Sequence, residues 1–489
     1  MGLALETQQY IDGKWVEGTS TTVLEVENPA TEEILASFPD ASVADVEAAI
    51  LAARRAFDEG PWPHTTPKER AAKLSRLAEL VAARKDEIVE ILIAEVGCPR
   101  TLANGLQYAV PQIHLEDMAD RVLRTFEFER PMEPVYGMGI GQGVIRYEPA
   151  GVVAAITPFN YPHYINVSKL GPALAGGNTV VLKPSPLTPL SALWLARQCE
   201  EVGFPPGVVN FVTGDLEASK LLTSHPAVDV VTFTGSDVTG RHIMQQASAD
   251  LKRVVLELGG KSANIWLDDA TIDKALPASL GFVRNTGQGC AAQTRILVHE
   301  RLYDEAVDRL VAAMQALQVG DPQDAATDVG PLISAAQRER VERYTGIGKD
   351  EGATLAFGGG RPSGLDKGHY VEPTLFVDVK TSMTVAQDEI FGPVGVVIPF
   401  RDDDEAVAIA NDSRFGLSGA VWSANTRHAY DVASRLRTGG VYVNGAGGGI
   451  NPYGPFGGYK HSGIGREFGV FGLQEYLEAK TIVWTVAGG

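Results

Sequence analysis

The chain has 489 residues, with 44% hydrophobic and 21% charged residues, the make-up of a folded globular protein rather than a disordered one. At roughly 150 residues per domain, that length allows two to four domains. Sixty-one acidic against 42 basic residues give a net charge of −19, which repels phosphate backbones and anionic lipid and argues against a nucleic-acid or membrane partner.

The first 15 residues lack a basic segment followed by an apolar one, so they do not read as a signal peptide. Met1-Gly2 is not followed by the Ser or Thr that myristoylation needs, since position 6 is Glu6. No apolar run approaches the roughly 18 residues that span a bilayer. Three cysteines, Cys98, Cys199 and Cys290, are too few for a disulfide framework and fit a reducing compartment. The expected location is the cytoplasm.

In chain order, Tyr10 to Val16 reads as a hairpin turned at Asp12-Gly13. Ser42 caps a helix through VADVEAAILAARRAF, and Thr66-Pro67 opens another expected from Lys68 to Val96. GMGIGQG, residues 137 to 143, precedes a strand instead of joining a strand to a helix. It therefore reads as a flexible connection, not a dinucleotide fingerprint.

Residues 151 to 257 then alternate regularly. Expected strands are 151–156, 179–182, 208–212, 228–233 and 253–256. Expected helices are 164–175, 190–201, 216–222 and 238–247. This alternation means a doubly wound α/β sheet, which binds nucleotides at the carboxyl ends of its strands. A second α/β region runs from about Ser262 to Asn444, with helices near 272–285, 302–317, 335–346 and 405–411. The run Asp402-Asp403-Asp404-Glu405 is read as the charged start of the last helix. The chain closes on KTIVWTV, an apolar strand that another sheet, such as a partner subunit's, should cover.

Cys290 lies in NTGQGCAAQTR among small residues that suit a thiol at the floor of a pocket. A nucleophilic thiol needs a push toward thiolate, which a following helix start or a bound cation would supply. Taken alone, Cys290 reads equally as a structural thiol and as a nucleophile. Cys98 and Cys199 read as structural. Glu257, in RVVLELGGKSANI, is a lone carboxylate ending an apolar strand. Desolvation there would raise its pKa toward the range of a general base, against the alternatives of a salt bridge to Lys261 or a helix cap. Asn160 follows the first strand of the series, where its amide could donate to an oxyanion, although alone it reads as a turn residue. Gly235 and Ser236, in FTGS before a helix, offer amides and a hydroxyl to a pyrophosphate, and Lys183 ends another strand within reach of ribose hydroxyls. The nine histidines show no metal-binding spacing.

These segments together resemble the aldehyde dehydrogenase superfamily. TPFNYP, LKPS, FTGS, ELGGKSA, GQGC, EIFGPV and PFGGYKHSG occur in the family's order over nearly the whole chain. The resemblance implies an aldehyde-dehydrogenase-like α/β fold. Its cofactor-binding domain would be 1–122 and 145–257, its catalytic domain 258–450, and its oligomerisation arm 123–144 and 470–489. It implies Cys290 as nucleophile, Glu257 as general base, and Asn160 with the Cys290 amide as oxyanion hole. Lys169 and Glu467 would line the base's proton route. Cofactor contacts would come from Ile156, Thr157, Pro158, Phe159, Lys183, Ser185, Gly235, Ser236, Leu258, Gly259, Glu389 and Phe391. The aldehyde tunnel would be lined by Tyr161, Ile165, Ser168, Gly289, Ala291 and Phe456. No charge stands among those six, so apolar aldehydes, aromatic or medium-chain, are expected.

The implied reaction is oxidation of an aldehyde to a carboxylic acid with NAD, in a homodimer or homotetramer. Pro186 stands where the family usually has a Glu that reads the adenosine ribose, so tolerance of NADP is also expected. A second departure, the loss of glycines in VTGDLEASKLL, falls on the adenine side. The alternatives are a coenzyme-A-acylating relative, which generally lacks a carboxylate at position 257, and a non-catalytic structural paralogue.

Overall fold

The computed structural model describes residues 5–136, 140–448 and 451–486. Four sheets organise the chain, and two of them carry the site. The first is built from the alternating region: β1 (Val152–Ile156), α1 (Pro162–Gly176), β2 (Thr179–Lys183), α2 (Leu190–Val202), β3 (Val209–Phe211), α3 (Leu216–Ser224), β4 (Val230–Thr234), α4 (Asp237–Ala247) and β5 (Arg253–Glu257). The strands are parallel in the order β3-β2-β1-β4-β5. Antiparallel additions close both edges: the hairpin Gln9–Ile11/Lys14–Val16 beside β3, and the short strand Gly463–Ile464 beside β5. β1, β2 and β4 are buried at every position, which explains why their sequences, apart from Lys183 at the end of β2, are apolar or β-branched instead of alternating.

Strand register aligns the ends that matter. Ile156 pairs with Lys183 and with Phe233, and Thr234 pairs with Glu257. The carboxyl ends of β1, β2, β4 and β5 therefore come to one edge. The strand order reverses between β1 and β4, which opens a crevice there.

The second sheet is parallel across Thr374–Val377, Val394–Phe400, Arg295–His299, Ala263–Trp266, Ser418–Trp422 and Gly440–Val443, with antiparallel Thr354–Phe357 on one edge. Only the segment 258–262 separates the carboxyl end of β5 from the amino end of Ala263–Trp266. A third sheet pairs Leu477–Val486 with Ile140–Pro149 residue for residue, and Leu477–Val486 is an edge strand exposed beyond Leu477.

Several expectations are corrected. The helix expected over 68–96 breaks at Arg84, whose backbone leaves the helical region (φ −118°, ψ 29°), giving Pro67–Ala83 and Lys85–Val96. The Arg84 guanidinium instead reaches α2, bonding Gln198 and Glu201. The helix expected to run to Asn285 ends at Ser279, and Asn285 and Thr286 take positive φ. Within residues 137–143, Ile140–Gly143 belongs to a strand rather than a flexible connection, while 137–139 fall outside the described residues. Residues 100–125, unassigned from sequence, form a helical run with two π-helical turns. The acidic run does start a helix, with Asp402 accepting from Glu405 N.

Asn178 ties these parts together. Its buried amide accepts from Gly151 N ahead of β1 and donates to Ala173 O in α1 and to Tyr476 O near the chain end. Asn178→Ala leaves Gly151 N without its partner and removes one of the two donors to Ala173 O and to Tyr476 O, which keep Asn178 N and Ala150 N, and is expected to cost roughly 2 kcal/mol. Urea unfolding should show a lower midpoint with an unchanged slope. An unchanged midpoint would mean that water replaces the amide.

Candidate active site

The 258–262 connection brings the two sheets together through close backbone contact. A Cβ on Gly260 would lie 2.3 Å from the Cys290 carbonyl oxygen, and one on Gly259 would lie 2.3 Å from Glu389 Oε2. The approach at Gly260, to a main-chain carbonyl, requires glycine, whereas the one at Gly259 is to the end of a side chain. Gly260 N donates to Glu389 Oε1 at 2.9 Å, and Ser462 Oγ donates to Gly259 O at 2.6 Å. Four distant segments of the chain thus meet at this turn: ELGG, GQGC, EIFGPV and PFGGYKHSG.

Cys290 follows a loop whose unusual backbone is pinned by side chains. Asn285 Nδ2 donates to Asn160 O at 2.9 Å, Thr286 Oγ1 donates to Gly330 O, and Gln288 Oε1 accepts from Ile333 N. Of the two possible sources of a push toward thiolate, a helix start after Cys290 is not there. A turn follows, then Arg295–His299. No helix dipole lowers this thiol. Burial, together with the nearby charges of Glu389 and Glu257, pushes it up to about 12, so it stands protonated until a base takes its proton.

Glu257, only 2% exposed, has no hydrogen-bond partner on either carboxylate oxygen among the described residues. Neither the salt bridge to Lys261 nor the helix cap forms. Burial holds its carboxyl well above the usual carboxylate range. Glu467 pushes the same way, and Lys169 and Arg466 push against it. An unpaired buried carboxylate is costly to a fold and useful as a base.

Lys169 and Glu467 form a buried ion pair at 2.8 Å, and Lys169 also donates to Thr232 Oγ1 at 3.0 Å. Glu467 exchanges backbone hydrogen bonds with Phe456 at 2.9 and 2.7 Å, joining the pair to the PFGGYKHSG loop. Asn160 Nδ2 donates to Gln288 O at 2.9 Å, two residues before Cys290. That bond uses one of its two amide hydrogens and fixes the amide against the nucleophile's loop.

At the crevice, Thr157 N donates to Lys183 O and Thr157 Oγ1 to Asn166 Oδ1. Lys183 is buried, and burial lowers its ammonium to about 8 despite Asp40 and Asp215 nearby. Its only partner among the described residues is the Pro184 carbonyl at 3.3 Å. Gly235 N donates to Glu257 O, while the Ser236 hydroxyl caps α4 by accepting from Thr239 N. That hydroxyl is therefore committed to the helix, and the α4 amides are the freer anion donors. Ser185 Oγ accepts from Leu187 N, as a turn residue does. Glu389, buried, is raised to about 7. Phe391 has φ +61° and its ring meets Phe159 edge to face at 5.8 Å. Arg340 and Gln337, from the helix Ala335–Asp350, bind the carbonyls of Glu389, Ile390 and Phe391. Sequence reasoning missed these two residues, because a polar helix face gives no sign of what it holds.

It also missed one wall of the site. His114 stacks on Phe468 with centroids 4.0 Å apart, and the Tyr164 ring lies nearly parallel to both at 5.8 Å. Phe456 contacts Phe468 at 5.6 Å. Burial lowers His114 to about 4, so it is neutral near pH 7. Tyr161 OH lies close to Gly289, and Ser168 Oγ turns inward to donate to Ile165 O. Ile165 and Ser168 are buried, and Phe456 and Ala291 are partly exposed. Among the described residues, Asp268, Asp269 and His428 bring possible metal-ligand atoms within 4.8 Å of one another. They form a surface cluster in which His428 is already bonded to Asp403 at 2.6 Å.

The buried ion pair gives a test. Lys169→Met leaves Glu467 unpaired and is expected to cost roughly 3–5 kcal/mol in urea unfolding. The double variant Lys169→Met/Glu467→Leu should recover most of that loss. Equal loss in both would show that the pairing is not what holds this region.

Known proteins share this architecture and these segments. The sequence profile described as the Aldehyde dehydrogenase family matches residues 15–482. A Mycobacterium tuberculosis aldehyde dehydrogenase solved with NAD+ is 43% identical, with 97% of each chain covered and a TM-score of 0.94. Aldehyde dehydrogenase C of Pseudomonas syringae, a mutant solved with NAD+ and octanal, is 42% identical, with 97% of this chain and 96% of that chain covered and a TM-score of 0.93. A Staphylococcus aureus betaine aldehyde dehydrogenase solved with NAD+ is 37% identical, with 98% and 95% covered and a TM-score of 0.94.

Proposed function

The chain belongs to the aldehyde dehydrogenase family and oxidises an aldehyde with NAD, and on that premise we propose which of its residues do the work. The observation that carries the proposal is Glu257, a buried carboxylate without a partner among residues that also surround Cys290.

Glu257 takes the Cys290 proton, and the thiolate adds to the aldehyde carbon to give a thiohemiacetal. Asn160 Nδ2 and the Cys290 amide donate to its oxyanion, a contribution worth roughly 3 kcal/mol per donor. NAD held in the crevice by Lys183, the α4 amides and Glu389 would supply the hydride acceptor that side chains lack, leaving a thioester on Cys290. Glu257 first passes the Cys290 proton on toward Lys169 and Glu467, and, deprotonated again, draws a proton from water, which attacks the thioester and releases the acid and the Cys290 thiolate. Covalent catalysis of this kind divides one difficult oxidation into two steps. Coenzyme-A-acylating relatives generally lack a carboxylate at position 257, so the presence of Glu257 supports water as the acceptor.

The crevice fits a dinucleotide. It lies at the switch point of the sheet, Lys183 has an under-used ammonium, and α4 presents its amino end beside Gly235. Ile156, Thr157, Pro158 and Phe159 would form one wall, with Leu258 and Gly259 opposite. Glu389 and Phe391 would hold the nicotinamide ribose and ring. With Pro186 in place of a ribose-reading carboxylate, NADP is also accepted. Residues 1–122 and 145–257 would form the cofactor unit, and 258–450 the catalytic unit.

Tyr161, Ile165, Phe456 and Ala291, with Tyr164 and Phe468, make an apolar, largely aromatic wall suited to aromatic or medium-chain aldehydes. Ser168, its hydroxyl turned inward, leaves room where a larger side chain would narrow the tunnel. The exposed edge strand Leu477–Val486 is apolar at Val483 and Trp484 and fits a second copy of the chain, as part of a dimer or tetramer built on 123–144 and 470–489. Three free cysteines are consistent with the reducing cytoplasm. No helix among the described residues is long and apolar enough to cross a membrane.

Glu257→Gln is expected to keep one burst of NADH per active site and to lose steady turnover by about 10²–10⁴-fold. Cys290→Ala should show neither. Stopped-flow absorbance with octanal and benzaldehyde distinguishes them, and full turnover in Glu257→Gln would refute its role. Because Glu257 must be deprotonated and burial raises its pKa, kcat of the native enzyme should rise with pH from the acid side. Comparing kcat/KM for octanal, benzaldehyde and an acidic semialdehyde, with NAD and NADP, tests the substrate and cofactor readings. Equal or better use of the acidic substrate would overturn the apolar assignment.

A further inference from the structure

A second polar site lies on the far side of the 258–262 connection. The amino ends of three parallel strands, Ala263–Trp266, Arg295–His299 and Ser418–Trp422, enclose a cavity with about 20 Å³ of room for a water-sized sphere. That is space for one water or one monatomic ion. Lys261, Ser262, Arg295, Ser418 and Thr438 are among its lining residues.

Four of these five have a buried polar atom with no hydrogen-bond partner among the described residues: Lys261 Nζ, Ser262 Oγ, Ser418 Oγ and Thr438 Oγ1. Lys261 is only 2% exposed, as is Arg295. The Arg295 donors all go to main-chain carbonyls, those of Lys261, Ile409, Ala410 and Asp412, and none goes to a carboxylate among the described residues. Of the nearby carboxylates, Asp412 acts on Arg295 through space without bonding it, and Glu389 and Asp388 are engaged elsewhere. Glu389 accepts from Gly260 N, while Asp388 accepts from Arg414 and from Tyr344 OH.

The lining therefore offers one ammonium and three hydroxyls as donors, beside a guanidinium whose charge is not balanced by contact. Buried charge in that condition is expensive, and an anion relieves it. Lys261, lowered to about 7 by burial and by Arg295, regains its proton readily once a negative charge sits beside it.

We propose that this cavity binds one small monovalent anion of the halide class, held by Lys261, Ser262, Ser418 and Thr438, and that the bound anion stiffens the connection between the two sheets. The site is separate from the cofactor crevice and has no part in the aldehyde chemistry proposed above. Its consequence is structural: Lys261 follows Gly260 directly, so fixing its ammonium fixes the turn on which Glu389 and the Cys290 loop rest.

Crystals of the full chain soaked in sodium bromide, with diffraction recorded at the bromine edge, test this directly. An anomalous peak inside the cavity, absent in Lys261→Met, is the expected result. Surface bromides alone, an adventitious ion only, or electron density there that fits water without anomalous signal, would overturn the proposal. In solution, the unfolding temperature of the native protein should rise with bromide or chloride and level off, relative to potassium gluconate at equal ionic strength. Thr438→Val and Ser418→Ala should blunt that response, and they keep the test available if Lys261→Met does not fold. A halide response of the same size in both hydroxyl variants would refute the site.

Discussion

The structure depends on two main chains being allowed to touch. At Gly260 the peptide after the last parallel strand of the first sheet runs against the carbonyl of Cys290, and at Gly259 it lies against the carboxylate of Glu389. The nucleophile comes from one sheet system and the base from the other. Their relation is set by backbone contact, which has no rotamers to vary. Positioning of this kind is what a reaction needs when about 1 Å of misplacement costs roughly a hundredfold in rate. The remaining loops then assemble around a fixed joint: Ser462 bonds to Gly259 O, and Arg340 and Gln337 hold the Glu389 segment from outside.

The charges divide along the same line. On the first-sheet side, Glu257 is left without partners, while Lys169 and Glu467 satisfy one another nearby. The fold bears one desolvated carboxylate and keeps it basic, using the adjacent ion pair to moderate its field instead of neutralising it. Cys290 is protonated at rest for the same reason. A resting thiol is protected from oxidation, which proceeds through the thiolate. Both groups therefore hold their protons more tightly than they would in water, Glu257 through full burial and Cys290, itself half-buried, beside it.

Much of this was legible in the sequence, where local chemistry decides the outcome. The parallel strands read correctly because burial on both faces makes them continuous apolar runs, and Ser42, Thr66 and Asp402 announced helix starts through their own side chains. Glu257 could be singled out as a lone carboxylate ending an apolar strand, whereas Cys290 and Asn160, which alone read as well or better as structural residues, were raised by the ordered motifs around them. What stayed hidden depends on partners far away in sequence. The break at Arg84 is made by Gln198 and Glu201. The His114–Phe468 stack joins residues far apart in the chain, and His114 sits in a short helix flanked by π-helical turns with no regular apolar period. The loop that leads into Cys290 is set by bonds from Asn285 to Asn160 O and from Thr286 to Gly330 O, which no local pattern encodes.

Arg253, the first residue of β5, clamps the carbonyls of Glu475 and Leu477, where the exposed terminal strand begins. Four residues later the same β5 delivers Glu257. The strand that a neighbouring molecule would grip and the strand that carries the base are therefore two arms of one lever, with Arg253 as its pivot. Whatever holds the start of the terminal strand in place therefore also holds the start of the strand that ends in Glu257, with no loop between the two.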